Sequence, residues 1–469
     1  MDVADHFVAP WALRARFAGA LSRMYAAEVP AYGDLVKVCN QINREALGDG
    51  SRKASRTEDL GTLARITAER HGAIRVGSPA ELRRVARLFA LLGMEPVGFY
   101  DLREAKPTSL PVVSTAFRPV DPDDLARNAF RVFTSMLVPE DRRFFDEDLG
   151  REISERVAAR SLLANGLEVL IGEAEDAGGV ARERADDFIR LAVATFELSP
   201  EPLDAAWHER LFAISPVAAD IAAAPGTHVN HLTPRVLDID ELYRRMEARG
   251  IEMIDRIQGP PAWSGPDVLL RQTSFRALDE VRTMRLADGS TEQRRVRVRF
   301  GEVEQRGVAL TPDGRRLVDE LLAKVEAADH RDERARQRAA ADAFDASLPR
   351  ELTTMALAGL AHVRFEAHPG HPLPPPGGRT LAGLVTSGAL EVHPIVYEDF
   401  LPKSAAGIFR SNLDHDGRRD DDRDVAHWDS ATMEEAIGRP LLDPYDLYDN
   451  QQQASLRDAL DVLGIADLD

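Results

Sequence analysis

Two histidines in matching surroundings are the residues of this chain best placed to do chemistry. The segment Arg70-His71-Gly72-Ala73-Ile74-Arg75-Val76 returns about 160 residues later as Asn230-His231-Leu232-Thr233-Pro234-Arg235-Val236. In an extended strand alternate side chains share a face, so His71, Ala73 and Arg75 point together, as do His231, Thr233 and Arg235. Each copy therefore offers an imidazole, a metal ligand when neutral, and a guanidinium, the natural bidentate partner of a carboxylate. Two such strands at one cavity would bring two imidazoles to one ion. The third ligand is expected from Arg299-Phe300-Gly301-Glu302-Val303-Glu304-Gln305-Arg306, where Glu302 and Glu304 share a strand face and strand geometry does not choose between them. Two histidines and a carboxylate on one face of an octahedral ion leave roughly three adjacent positions open. A 2-oxo acid can take two of these through its carboxylate and ketone oxygens, and dioxygen the third.

Other chemistry-bearing residues have plainer readings. His228 lies three residues before His231, which in a regular strand puts it on the opposite face. His362, His368 and His371 cluster beside Pro369-Gly370 and the Pro372 to Gly378 stretch, which suits a polar loop. Arg235 is either a second substrate clamp or the partner of a nearby carboxylate. His393, just before Pro394, either supports the site or is merely packed. Cys39, the only cysteine, reads as a small buried hydrophobe; disulfides and thiolate metal clusters within the chain are excluded.

The elements that must position these residues repeat as well. Each copy of the histidine segment runs into a Leu-, Arg- and Ala-rich helical pattern that stops at a glycine, Gly93 and then Gly250, followed by a short apolar strand. A second echo keeps the order: Ser114-Thr115-Ala116-Phe117-Arg118-Pro119 follows the first unit as Gln272-Thr273-Ser274-Phe275-Arg276-Ala277 follows the second. One structural unit used twice is the expectation. We divide the chain into a helical cover (1–65), a first βαβββ unit (66–137), a helical insertion (138–225), a second βαβββ unit (226–311) and a helical and β C-terminal region (312–469). In the second unit strands are expected near Val229 to Leu237, Glu252 to Ile257, Val268 to Phe275 and Val296 to Gln305. Beyond it, Leu381 to Val396 reads as a strand pair and 397–409 as a loop of small residues around Pro402. The fold class is α+β, two modules forming a cupped sheet around a metal site.

Composition sets the outer limits. The 469 residues are 44% hydrophobic and 29% charged, enough for a large elaborated core. The formal charge of −19 opposes binding to nucleic acid or to anionic membranes. An arginine inside a closed pocket outweighs that distant, salt-screened charge, so an anionic substrate stays compatible. Arg331 to Arg338 is interspersed with acids and reads as a solvated helix face. No run approaches the ~20 apolar residues of a membrane helix, and the opening residues lack a secretory signal, so a cytoplasmic location is expected.

The opening strand Val229 to Asp240 resembles a vicinal oxygen chelate module, and Phe300 to Arg306 resembles the closing strand of the hydroxyphenylpyruvate dioxygenase and hydroxymandelate synthase group. More closely, Asn230 to Arg235, Leu270 to Phe275, Phe300 to Gly307 and Tyr397 to Phe409 together are similar to the 2-oxoadipate dioxygenase/decarboxylase family, in order along nearly the whole chain. The resemblance implies His71, His231 and Glu302 as ligands of Fe(II). It implies Arg75 as the partner of a substrate carboxylate, helped by Ser404 and the backbone amide at Lys403, where a small apolar residue was expected. The implied reaction takes 2-oxoadipate and O2 to 2-hydroxyglutarate and CO2, in lysine breakdown, with no separate 2-oxoglutarate. Two other classes compete: a metal-dependent isomerase or lyase that consumes no oxygen, and a non-catalytic binder of small acids.

Overall fold

The repeated histidine strands lie side by side. A computed structural model describes residues 6–48, 63–105, 109–297, 299–402 and 419–469. Strand β1 (Arg70–Val76) is followed by the helix Pro79–Leu91, β2 (Glu95–Asp101), β3 (Val112–Arg118), the short helix Pro122–Arg127 and β4 (Arg131–Leu137). Ser78 caps the first helix by accepting from the Glu81 N–H, and Pro79 occupies its first turn, where its missing N–H costs nothing. Gly93 ends it with φ +67°, a left-handed turn that glycine adopts without a Cβ clash.

The second unit enters by edge addition. Strand β6 (Val229–Pro234) joins β1 antiparallel and completes a five-stranded sheet of order β2-β3-β4-β1-β6. In that register His71 lies opposite Thr233 and Ala73 opposite His231, an even offset that puts both histidines on one face. Gly72 makes the contact close, since a Cβ there would lie 3.2 Å from Leu232 Cδ2. A bulge then shifts the register between Ala73 and Ile74, where the next pair is Ile74 with Val229 and Asn230 is the extra residue.

After the helix Ile239–Glu247, β7 (Leu270–Ser274) and β10 (Glu302–Arg306) form an antiparallel pair. The bridge from Arg235 to Glu304 lays β10 beside the end of β6. Three local expectations are corrected. Glu252 to Ile257 forms no strand; Met253 bridges Phe275 and Gln258 bridges Gln272, because three prolines and two glycines between 259 and 266 leave no regular ladder there. Val296 to Gln305 is not continuous: β8 (Asp279–Arg285) and β9 (Thr291–Arg297) form a separate hairpin turned at Gly289 (φ +84°), and it pairs with β5 (Leu203–Asp204). Leu381 to Val396 is a helix, Leu381–Thr386, capped by Thr380, then β12 (Leu390–Pro394), which pairs with β11 (Val363–Ala367).

Helices back the sheets. The helices Pro10–Glu28 and Pro30–Gly48 pack Leu13, Phe17, Leu21, Leu35, Val38 and Cys39 into the main core with Phe89, Phe117 and Phe130. They also brace the strands beneath the histidines: Tyr25 donates its hydroxyl to the carbonyls of Asn230 (3.0 Å) and Phe300 (2.9 Å), and Asn43 bonds Arg235 O and Leu237 N. Five helices between Glu147 and Ala222 fill the interval between the units. No helix among the described residues is long and apolar enough to cross a membrane.

Candidate metal centre

His71, His231 and Glu302 converge from β1, β6 and β10. One ligand atom from each lies within 4.8 Å of the others. The Oε2 of Glu302 is 3.4 Å from His71 Nε2 and 3.5 Å from His231 Nε2, and the two imidazoles stand edge to face, centroids 5.5 Å apart. Donors bound at right angles about 2.1 Å from one ion lie about 3.0 Å apart, so this spacing suits a shared metal. The three residues are 1%, 4% and 3% exposed, burial that polar groups tolerate only with partners or an ion. Two nitrogens and an oxygen, without thiolate, form a two-histidine, one-carboxylate donor set that suits a divalent transition metal.

Strand β10 places Glu302 and Glu304 on one face, and their partners separate their roles. Glu304 Oε2 accepts from His71 Nδ1 at 2.8 Å, and its two oxygens take the Nε and Nη2 of Arg306 at 2.9 and 2.8 Å. A histidine that gives Nδ1–H to a carboxylate presents Nε2 to a metal. Glu302 instead faces the imidazole Nε2 atoms, oriented by Gln272 Nε2 at 3.3 Å and Thr233 Oγ1 at 3.4 Å.

Electrostatics distinguish the two imidazoles. Burial lowers both, but at His71 the carboxylates of Glu304 and Glu302 outweigh it and raise the pKa above the ordinary value. His231 is pushed down to about 4, chiefly by burial, and its Nδ1 has no hydrogen-bond partner among the described residues. It is therefore neutral at physiological pH, as a ligand must be. Burial works against the charged form of Glu304 too, yet Arg306, His71 and Arg131 hold its carboxyl far below the usual range.

Apolar rings close the metal face. Phe400 lies 5.0 Å from His71, Phe133 5.1 Å from Phe400, and Phe300 5.2 Å from His231, centroid to centroid. Beneath them Glu69, 1% exposed, receives Arg131 and Arg235, each at 2.9 Å. Arg235 is thus an ion-pair partner of a buried carboxylate.

Arg75 sits beside the histidines and pairs with Asp220, which also accepts from Asn230 Nδ2 at 2.9 Å. His228 Nε2 lies 3.3 Å from Asp220. This corrects the expected position of His228: the bulge at Asn230 reverses the alternation, so an odd spacing from His231 brings His228 round to Arg75. Lys403 and Ser404 lie outside the described residues, as does the loop from 403 to 409. Of the other histidines, His368 pairs with Glu391 at 2.6 Å, His362 is buried against Tyr448, and His393 lies 3.5 Å from Glu366.

Sequence reasoning missed Asp220 and Glu69, which have no local motif; Phe400 lies in the Tyr397 to Phe409 motif but was given no role, and Gln272 carried a signal, being the first residue of the second echo. Comparison with known proteins agrees with the geometry. The model of the 2-oxoadipate dioxygenase/decarboxylase family matches residues 17–412. The chain is 52% identical over 445 residues to the 2-oxoadipate dioxygenase/decarboxylase of Mycobacterium tuberculosis, covering 95% of this chain and 97% of that one. It is 38% identical over 474 residues to the protein of that name from Pseudomonas putida, covering 99% and 100%. The crystal structure of the hydroxyglutarate synthase from Pseudomonas putida in complex with 2-oxoadipate superposes with a TM-score of 0.83 at 37% identity, over 98% of this chain and 100% of that one. A buried His-His-Glu site in an α+β frame, shared along nearly the whole length with these relatives, places the chain in the 2-oxoadipate dioxygenase/decarboxylase family.

Proposed function

We propose that this chain is a non-haem Fe(II) enzyme that converts 2-oxoadipate and O2 to 2-hydroxyglutarate and CO2, with His71, His231 and Glu302 as the ligands. The observation that carries it is the convergence of those three ligand atoms within 4.8 Å on a buried face. The names of the relatives, and the 2-oxoadipate bound to the Pseudomonas putida synthase, support the choice of substrate. Bound Fe(II) would pass electrons from the 2-oxo acid to O2 and act as a Lewis acid toward that substrate.

The protein's part is orientation and exclusion. Three protein ligands on one side leave the other side for the 2-oxo acid and O2. Glu304 fixes the His71 ring, and Gln272 with Thr233 fixes the Glu302 carboxylate. Arg75 pairs with the carboxylate remote from the 2-oxo group, with Ser404 and the Lys403 amide as further partners. Phe133, Phe300 and Phe400 keep water from the reacting face. The atoms balance within one substrate: C1 leaves as CO2, one oxygen of O2 enters the new carboxylate and the other becomes the 2-hydroxyl. A cytoplasmic setting and a place in lysine breakdown go with this activity.

The test is anaerobic loading with Fe(II), then an air pulse with a series of 2-oxo diacids, following O2 and CO2 together. Equal O2 uptake and CO2 release with 2-oxoadipate, and two heavy oxygens in 2-hydroxyglutarate made under 18O2, are expected. Product formed without O2 uptake, or ligand bound without product, would overturn it.

A further inference from the structure

The segment 397–400 lies in no strand or helix, yet it is tied down from several sides. Tyr397 donates its N–H to the Gly307 carbonyl at 2.8 Å and its hydroxyl to the Phe400 carbonyl at 2.8 Å. Arg306 Nη1 donates to the carbonyls of Tyr397 at 2.9 Å and Asp399 at 3.0 Å. The Asp399 carboxylate takes Arg118 in bidentate fashion, Nε at 2.7 Å and Nη2 at 3.1 Å. The segment ends in Phe400, whose ring stands at 88° to the His71 imidazole, and the Arg306 guanidinium lies 5.5 Å from that ring.

Arg118 comes from the first repeated unit, and Arg306 and Gly307 from the second. A further hold comes from outside both. Tyr448, on the helix Pro444–Leu463, is 3% exposed. Its hydroxyl accepts from the Glu398 N–H at 2.8 Å and donates to Asp399 Oδ2. Burial raises its pKa well above the ordinary value, so the hydroxyl keeps the proton it donates. The ring is fixed in turn, with the Arg118 guanidinium 5.8 Å from its centroid and the His362 ring 5.8 Å away. Any buried tyrosine hydroxyl needs partners; this one spends both bonds on the two residues that precede Phe400.

We propose that Tyr448 is a positioning residue for the metal centre: its hydroxyl clamps the Glu398 amide to the Asp399 carboxylate and thereby holds the Phe400 ring against His71. The proposal rests on the function proposed above and brings the C-terminal helix into the site. Phe400 is part of the apolar cover of the metal face, and such a cover sets solvent access to the ion and the setting of its ligands. Tyr448→Phe keeps the ring and frees the segment, so it acts on the site without touching it.

The full chain is compared with its Tyr448→Phe, Phe400→Leu and double variants, loaded with Fe(II) for turnover of 2-oxoadipate and with Co(II) for visible absorption. Leu460→Ala is the control: it lies about three turns further along the same helix, in a separate apolar cluster with Val363 and Phe365, and tests helix docking alone. Tyr448→Phe is expected to lower kcat/KM about tenfold and to change the Co(II) spectrum in the direction that Phe400→Leu does. The double variant should lose no more than about twofold beyond the worse single, because the two residues act in one chain of contacts. Leu460→Ala should melt at a lower temperature with the wild-type spectrum and kcat/KM. A Tyr448→Phe protein with the wild-type spectrum and kcat/KM, losses that multiply in the double variant, or an equal spectral change in Leu460→Ala would overturn the assignment. A wild-type chain that leaves 2-oxoadipate untouched, yet whose Co(II) spectrum changes in Tyr448→Phe and not in Leu460→Ala, would sustain the role of Tyr448 and remove the parent function.

Discussion

The Nδ1 of His71 and the Oε2 of Glu304 are 2.8 Å apart, and that one hydrogen bond assigns separate tasks to two carboxylates on one strand. Glu304 holds the imidazole, and Glu302 faces the place where an ion would sit. Glu302→Ala is expected to abolish stable binding of Fe(II) or Co(II). Glu304→Gln should keep the metal with roughly 10- to 100-fold weaker affinity. Titration with Co(II), followed by its visible absorption, separates the two; equal loss in both variants would make Glu304 a ligand.

The pair of histidines was legible in the sequence because the duplicated strand carries its own register. What was not legible is whatever depends on a long-range partner. Asp220 is 145 residues from Arg75, and no spacing rule connects them. His228 was assigned to the wrong face because a bulge, which has no signature beyond the strand pattern, changes the parity after Asn230. Glu302 and Glu304 are equivalent in periodicity and differ through their partners, Gln272 and Thr233 for the one and Arg306 and His71 Nδ1 for the other, contacts that exist after folding. Of the two βαβββ units, the second was read as too regular: the β8–β9 hairpin interrupts it, and β9 and β10 look continuous when only apolar alternation is counted.

Glu69 should make the fold acid-sensitive in a defined window. Burial opposes its charge, but Arg235, Arg131 and the neighbouring arginines hold its carboxyl down at about 2. A depressed carboxyl stabilises the folded state above its unfolded pKa, about 4.3, and that contribution is lost as pH falls toward 2. Glu69→Gln strands the buried guanidiniums and is expected to cost about 3–5 kcal/mol near neutral pH. The gap between variant and wild type should narrow as pH falls from about 4 to 2. Urea denaturation at a series of pH values measures it; a pH-independent gap would show that Glu69 acts through shape alone.

Cys39 offers a probe of global unfolding. Its side chain is fully buried in the main core, and burial pushes the thiol up to about 12. Only the thiolate reacts appreciably, so a thiol reagent at pH 8 should leave the native chain unlabelled and label it once in denaturant. Rapid labelling of the native protein would mean that the packing of the helix Pro30–Gly48 on the sheet opens locally.

Gly301 tests how tightly the frame fixes Glu302. It lies between Phe300, whose ring packs on His231, and Glu302, and a Cβ at this position would land on the ring of Phe275. Phe275 is 1% exposed and donates its N–H to the Gly301 carbonyl at 3.1 Å, so the ring has no room to retreat. Relief must come from moving the start of β10, which carries Glu302 with it. Gly301→Ala is therefore expected to cost about 1–3 kcal/mol and to weaken Co(II) binding beyond what that loss of stability explains. Gly172→Ala is the control, because a Cβ in that helix meets nothing within 4 Å and should raise stability by up to about 1 kcal/mol. Thermal melts and Co(II) titrations on both variants decide the point: a Gly301→Ala protein that binds the metal as wild type does would show that Glu302 is positioned by its own hydrogen bonds to Gln272 and Thr233 and not by the strand beneath it.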